Sequence, residues 1–263
     1  MERGTVGLLP CLESGSGPPM LFIAGLMPYA GVDGPGMARA NGSLLAPFAE
    51  HRRVLCVNRR PGLPRGMSMA EMAAEHADAI RSLGVGPVDV AGISTGGSIA
   101  QQLAADHPDV VARLLLLCTA CRLGPEGGLL QRRVAARIRG GAGRQALAVM
   151  GASVVPPGRG QVAAGALSWL LGPRLLAGGD DLGDMATTIE AEDAFDLAAC
   201  DRPIAAPTVL VAGAADRFYS VELFEETARL VPGCRLRVLS GGHVSVARDP
   251  GWAEELRRFA AGA

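Results

Sequence analysis

Short apolar runs alternate with amphipathic stretches through the first 120 residues and again after residue 207. The runs have strand length and the stretches between them have helical spacing, so the pattern predicts a parallel sheet flanked by helices. Met20 to Gly25 is an apolar strand that enters a glycine-rich loop, and Val54 to Asn58 is a second strand that leads into Arg-Pro-Gly. Ser68 then opens a helix reaching about Leu83: Ser68 and Glu71 have capping-box spacing, and Gly84 supplies the stop. Val88 to Ile93 is a third strand, which passes through Ser94 into a helix from about Thr95 to Ala105, broken at Pro108. Val111 to Cys118 is apolar enough to be buried on both faces. Beyond residue 207 come a strand at Thr208 to Val211, a helix at Val221 to Leu230, a strand at Arg235 to Leu239 and a closing amphipathic helix at Trp252 to Ala260.

Residues 122–203 break this rhythm. They hold no clear strand, carry helical patches such as Leu129 to Ile138 and Val162 to Leu171, and are punctuated by Gly and Pro-Pro. The expected architecture is therefore α/β: a doubly wound, mostly parallel central sheet from residues 1–121 and 204–263, with 122–203 inserted as a helical cap over one end. Charge within the insertion is segregated. Arg122, Arg132, Arg133, Arg137, Arg139, Arg144 and Arg159 come first, then Asp180, Asp181, Asp184, Glu190, Glu192, Asp193, Asp196 and Asp201. Two readings stand: the halves face and solvate each other, or some arginines hold an anionic substrate or carrier.

Composition narrows the chemistry. A chain of 263 residues and 27.0 kDa suits one globular domain with an insertion. Its 25 basic and 26 acidic side chains leave a net charge of -1, so no polyelectrolyte surface invites nucleic acid. Every basic residue apart from histidine is arginine, which excludes a lysine Schiff base. The longest apolar runs are strand-sized and Met1 to Thr5 starts no signal-peptide core, so a soluble cytoplasmic protein without a membrane partner is expected. The cysteines read as small core residues of a reducing compartment. Cys118 and Cys121 form a C-x-x-C that suits a redox pair or half a zinc site, but no second ligand pair follows, and no metal is expected.

Gly92-Ile93-Ser94-Thr95-Gly96 matches the G-x-S-x-G elbow. With 36 Gly and 12 Ser, chance supplies roughly 0.2 such matches in a chain of this length. The context carries the motif: a strand precedes Ser94, a helix follows it, and the glycines flank the position where backbone crowding is worst. A serine hydroxyl needs a base, and the base needs an orienting acid. Of the four histidines, His51 lies in a charged loop, His76 falls mid-helix and His107 ends a helix, positions that suit the surface or a helix terminus. His243 follows the last strand after Gly241-Gly242, at the sheet's carboxyl edge. Asp216 hangs from the strand before it, where it suits either the orienting acid or an ordinary turn cap.

Ser94-Thr95-Gly96-Gly97-Ser98-Ile99-Ala100, continuing through His107-Pro108 to Val111–Leu117, resembles the α/β-hydrolase fold superfamily. The Gly213 to Asp216 loop and Gly242-His243 resemble its acid and histidine motifs, and the insertion occupies the position of its lid. The resemblance implies Ser94 as nucleophile, His243 as base, Asp216 as orienting acid, and the N–H groups of Leu26 and Thr95 as oxyanion donors, with Met27 the one-residue alternative to Leu26. Members often carry His-Gly where this chain has Ala24-Gly25-Leu26-Met27; the donor is a backbone N–H, so the hole survives that departure. The glycine-rich Gly31 to Gly36 loop downstream is either a long connection or part of the site mouth.

Substrate-binding candidates are Gly25, Met27, Met150 and Trp169; Leu167, Leu170 and Met185 join the two insertion residues in either an apolar pocket or simple lid packing. No cofactor is implied. The expected activity is hydrolysis of a small, mostly apolar carboxylic ester or lactone through an acyl-enzyme on Ser94. Alternatives are a thioesterase, a non-hydrolytic cyclase or lyase of bacterial secondary metabolism, and a non-catalytic receptor. The sequence is silent on oligomeric state.

Overall fold

The computed structural model describes residues 1–29, 31–32, 37–155, 158–175 and 182–262. Eight strands among the described residues form one sheet: β1 (Glu2–Val6), β2 (Leu9–Ser14), β3 (Pro19–Ile23), β4 (Arg53–Val57), β5 (Val88–Ile93), β6 (Val111–Leu117), β7 (Thr208–Gly213) and β8 (Arg235–Leu239). Their spatial order is β1-β2-β4-β3-β5-β6-β7-β8. β2 pairs antiparallel with β1 and with β4, and all remaining pairs are parallel. The amino-terminal hairpin is absent from the hydrophobic pattern for a physical reason. β1 lies at the sheet edge with only Val6 buried, so it shows no apolar run.

Successive strand residues enter opposite layers. Met20 and Phe22 of β3 join Leu45 and Phe48 of α1 (Met37–Ala49) and Trp252, Leu256 and Phe259 of α9 (Pro250–Ala261). Leu21 and Ile23 join the other layer, with Met72 and Ile80 of α2 (Met69–Ser82), Ile99 and Leu103 of α3 (Thr95–Asp106) and Phe224 of α8 (Val221–Leu230). β6 repeats the alternation, Leu114 and Leu116 against Leu115 and Leu117. Burial of each such leucine stabilises the fold by about 2 kcal/mol. The sheet is doubly wound.

Cys118 and Cys121 enter opposite layers, and all six cysteines are free. Ser68 and Glu71 close the capping box of α2, and Gly84 beyond its end has φ +66°. The helix also corrects one expectation: His76 is not at the surface but 1 % exposed, with Nδ1 2.7 Å from the Met72 carbonyl. It lies on the buried face of α2 with Met72, Ala73 and Ile80.

Between β6 and β7 the described residues form the α-helices α4 (Pro125–Arg139), α5 (Gly143–Ser153), α6 (Arg159–Leu175) and α7 (Leu182–Asp193). Val134, Leu147, Met185 and Ile189 form a cluster of their own, against which Leu26 of the loop after β3 packs. The charge halves meet outside it. Arg132 pairs with Asp193 at 2.6 Å and Arg139 with Glu190 at 2.7 Å. Asp184 and Glu192 depart from that solvated face, being 7 % and 1 % exposed. Asp180 and Asp181, and Asp33 to Gly36 of the glycine-rich loop, lie outside the described residues. No helix among the described residues is long and apolar enough to cross a membrane.

Candidate active site

Strand register brings the carboxyl ends of the parallel strands to one edge. Ile23 is level with Val57 and Gly92, Ile93 with Leu117, Leu117 with Val211, and Gly213 with Leu239. The loops after β3, β5, β7 and β8 therefore emerge side by side, where α/β sheets carry their sites.

At the end of β5, Ser94 has φ 54° and ψ -126° and donates its N–H to the Leu117 carbonyl at 2.9 Å. Glycine is required on both sides of it. A Cβ on Gly92 would collide with the Gly96 carbonyl, and one on Gly96 would collide with the carbonyls of Ile23 and Ala24. This close packing lets α3 start immediately after the serine. Thr95, as first residue of the helix, has an N–H without an intrahelical acceptor.

Ser94, Asp216 and His243 come together from three loops. His243 Nδ1 lies 2.7 Å from Asp216 Oδ2, and Nε2 lies 3.0 Å from Ser94 Oγ. Asp216 divides its two oxygens: Oδ1 accepts from the N–H groups of Phe218 at 2.8 Å and Tyr219 at 3.3 Å, while Oδ2 faces the imidazole. With the Asp216 side chain inaccessible, Nδ1–H donates to it and Nε2 is left to accept from the serine hydroxyl. That arrangement can take a proton from Ser94 and return it to a leaving group. Phe218 lies 4.6 Å from the imidazole, ring centre to ring centre, and Tyr219 stacks at 6.0 Å. Burial, reinforced by Glu192, pushes the Tyr219 phenol well above its ordinary pKa, so it is a hydrogen-bond donor. Burial and the nearby Asp216 likewise raise the Cys118 thiol, which keeps it from competing as a nucleophile.

Ser94 and His243 border a cavity of about 370 Å³, with Asp216 behind the imidazole. Gly25, Leu26 and Met27 line it beside Ser94 and Thr95, and Val134, Met150 and Ile189 close it from the helices between β6 and β7. Ser94, Thr95, Gln131, Ser153 and His243 are its polar side chains, and no Arg, Asp or Glu is among the described residues that line it. Trp169 is a correction. It points outward at 44 % exposure, with the Arg144 guanidinium 5.3 Å from its ring centre. Leu167 and Leu170 share that outward face of α6, because the opposite face is packed on α5, while Met185 is buried within the helical cluster. The insertion's arginines among the described residues also lie outside the cavity wall.

Sequence reasoning missed Gln131, Phe218, Tyr219 and Glu192. Phe218 and Tyr219 did leave a signal, an adjacent aromatic pair two residues past Asp216 in a chain with 4% aromatics. Glu192 was hidden in an acidic run.

The chain belongs to the alpha/beta hydrolase family, whose sequence model matches residues 21–255. Among solved structures it is similar to a hydrolase from Pseudomonas aeruginosa PA01, with a TM-score of 0.75, 23% identity, and 97% of this chain and 94% of that one covered. It is also similar to the enol-lactonase from Burkholderia xenovorans LB400, with a TM-score of 0.73, 22% identity and coverage of 99% and 100%. A thermophilic esterase from Thermogutta terrifontis gives a TM-score of 0.72, 21% identity and coverage of 100% and 99%.

Proposed function

We propose that the protein is a serine hydrolase that cleaves a small, neutral, mostly apolar carboxylic ester or lactone through an acyl-enzyme on Ser94. One observation carries the reading: the Ser94–His243–Asp216 chain of hydrogen bonds opens onto a cavity whose wall is apolar and free of charged side chains among the described residues. An anionic substrate would meet no countercharge there, whereas an alkyl or aryl ester would bury its apolar parts. Two fold neighbours are named as an enol-lactonase and an esterase, the same class of bond.

In this reading His243 takes the hydroxyl proton as Ser94 Oγ attacks the carbonyl carbon. The resulting oxyanion is held by the N–H groups of Thr95 and Leu26, with Met27 the alternative to Leu26. His243 then gives the proton to the departing alkoxide, leaving Ser94 acylated. Water attacks the acyl carbon with His243 again as base, the acid is released and Ser94 is restored. Asp216 holds the imidazole tautomer throughout. Residues 122–203 act as a cap that supplies the far wall and excludes bulk water.

A fluorophosphonate probe tests the proposal. The expected result is one phosphonyl adduct on Ser94 and loss of p-nitrophenyl ester turnover by about 10³-fold or more in Ser94→Ala. Full turnover in that variant, or an unlabelled Ser94, would rule the reading out.

A further inference from the structure

Glu190 and Asp193 of α7 spend their charge on surface arginines. Glu192, between them, turns inward and is 1 % exposed. Its Oε1 accepts from Ser98 Oγ and from the Tyr219 hydroxyl, both at 3.0 Å. Its Oε2 accepts from Thr95 Oγ1 at 2.7 Å and Gln131 Nε2 at 2.9 Å. Both oxygens are thus doubly occupied, the full capacity of a carboxyl group. Burying such a group carries a desolvation cost that an apolar side chain would not, so the four bonds only offset its presence.

What those donors have in common is the reacting centre. Thr95 adjoins Ser94 and opens α3, and Ser98 lies one turn further along that helix. Tyr219 stacks on His243 while its N–H is held by Asp216. Gln131 lines the cavity. Glu192 itself neither lines the cavity nor touches Ser94 or His243.

We propose that Glu192 is a positioning residue: through Thr95 and Tyr219 it aligns the helix-start N–H and the ring behind His243, and it locks α7 onto the nucleophile turn. The inference rests on reading Ser94 as the nucleophile. Its orientation requirement is steep, since misplacement by about 1 Å at such a centre costs on the order of 10²-fold in rate.

The test is the phosphonylation of Ser94 by an alkyl fluorophosphonate, resolved into a maximal rate and a half-saturating concentration and run beside thermal melts. This readout does not depend on the natural substrate. Glu192→Leu and Thr95→Val should each lower the maximal rate by about 10- to 100-fold with the half-saturating concentration within about 2-fold. The double variant should be no slower than the worse single one, because both changes break the same link. Glu192→Gln should recover most of the loss, since Ser98 and Tyr219 can reverse their hydroxyls to accept from the new amide.

A maximal rate unchanged in Glu192→Leu, losses that multiply in the double variant, or a loss confined to binding would each overturn the proposal. Should Glu192→Leu fail to fold, Thr95→Val decides alone: a rate equal to that of the unmodified protein overturns it. An unmodified protein that takes no label overturns the Ser94 reading itself, and this inference with it. Labelling that is normal and indifferent to Glu192 overturns only the latter.

Discussion

At φ 54° and ψ -126°, Ser94 occupies a backbone region that L-residues avoid, and two flanking glycines with no Cβ make that conformation possible. Asp216 shows how one side chain can satisfy two demands, capping its own turn with one oxygen and facing His243 with the other. His76 offers the sharpest residue-scale prediction. Burial depresses its pKa from 6.5 to about 4 despite the bond to Met72. In the unfolded chain the imidazole takes up a proton as pH falls below about 6.5, whereas the folded one does so only near 4. Stability is therefore lost across that window, by about 2 kcal/mol between pH 7 and pH 5. Urea midpoints at the two pH values should show the loss, and His76→Leu should remove most of it. An equal loss in that variant would exclude His76 as its source.

Among the elements, α7 is held by charge where the sequence suggests a solvated acidic face. The Asp184 carboxyl accepts the N–H groups of Gly62 at 2.7 Å and Leu63 at 2.8 Å, in the loop beyond β4. Asp184→Ala removes two charge-assisted bonds and strands two inward N–H groups, which should cost about 2 kcal/mol and lower the melting temperature by roughly 5 °C. A melting temperature within 1 °C of the unmodified protein would count against that anchor, on the roughly 2–4 °C expected per kcal/mol. Elements with clean apolar periodicity were legible to the residue: Val88–Ile93, Val221–Leu230 and Arg235–Leu239 all form where the pattern sets them. α1 was not. Asn41-Gly42-Ser43 and Pro47 interrupt its helical pattern, and the helix is held by burial of Leu45 and Phe48 in the layer shared with α9.

Across the whole molecule the cavity is built from both parts of the chain, the strand ends on one side and α4, α5 and α7 on the other. Under the proposed ester or lactone hydrolysis, this division assigns size selection to the inserted helices. Met150→Trp should shorten the preferred acyl or alkyl chain in a series of p-nitrophenyl esters, because the larger ring fills space on the far wall. Trp169→Ala should leave kcat/KM within about 2-fold, its side chain being on the outward face of α6. A Trp169→Ala enzyme with altered chain-length preference would mean that this wall extends to α6.

The sequence by itself determined the strand–turn–helix at Ser94, the chain order Ser94, Asp216, His243, and the alternation that makes a doubly wound sheet. These rest on local physics: glycine sterics, apolar period, and the turns that end parallel strands at a common edge. Only the tertiary structure decided which polar groups of residues 122–203 turn inward and which apolar ones turn out. Glu192 meets Thr95 across 97 positions and Asp184 meets Gly62 across 122. Whether an acid is solvated, or a tryptophan faces substrate, depends on what such distant segments place against it, and hydrophobic patterning within one helix carries no record of its partner.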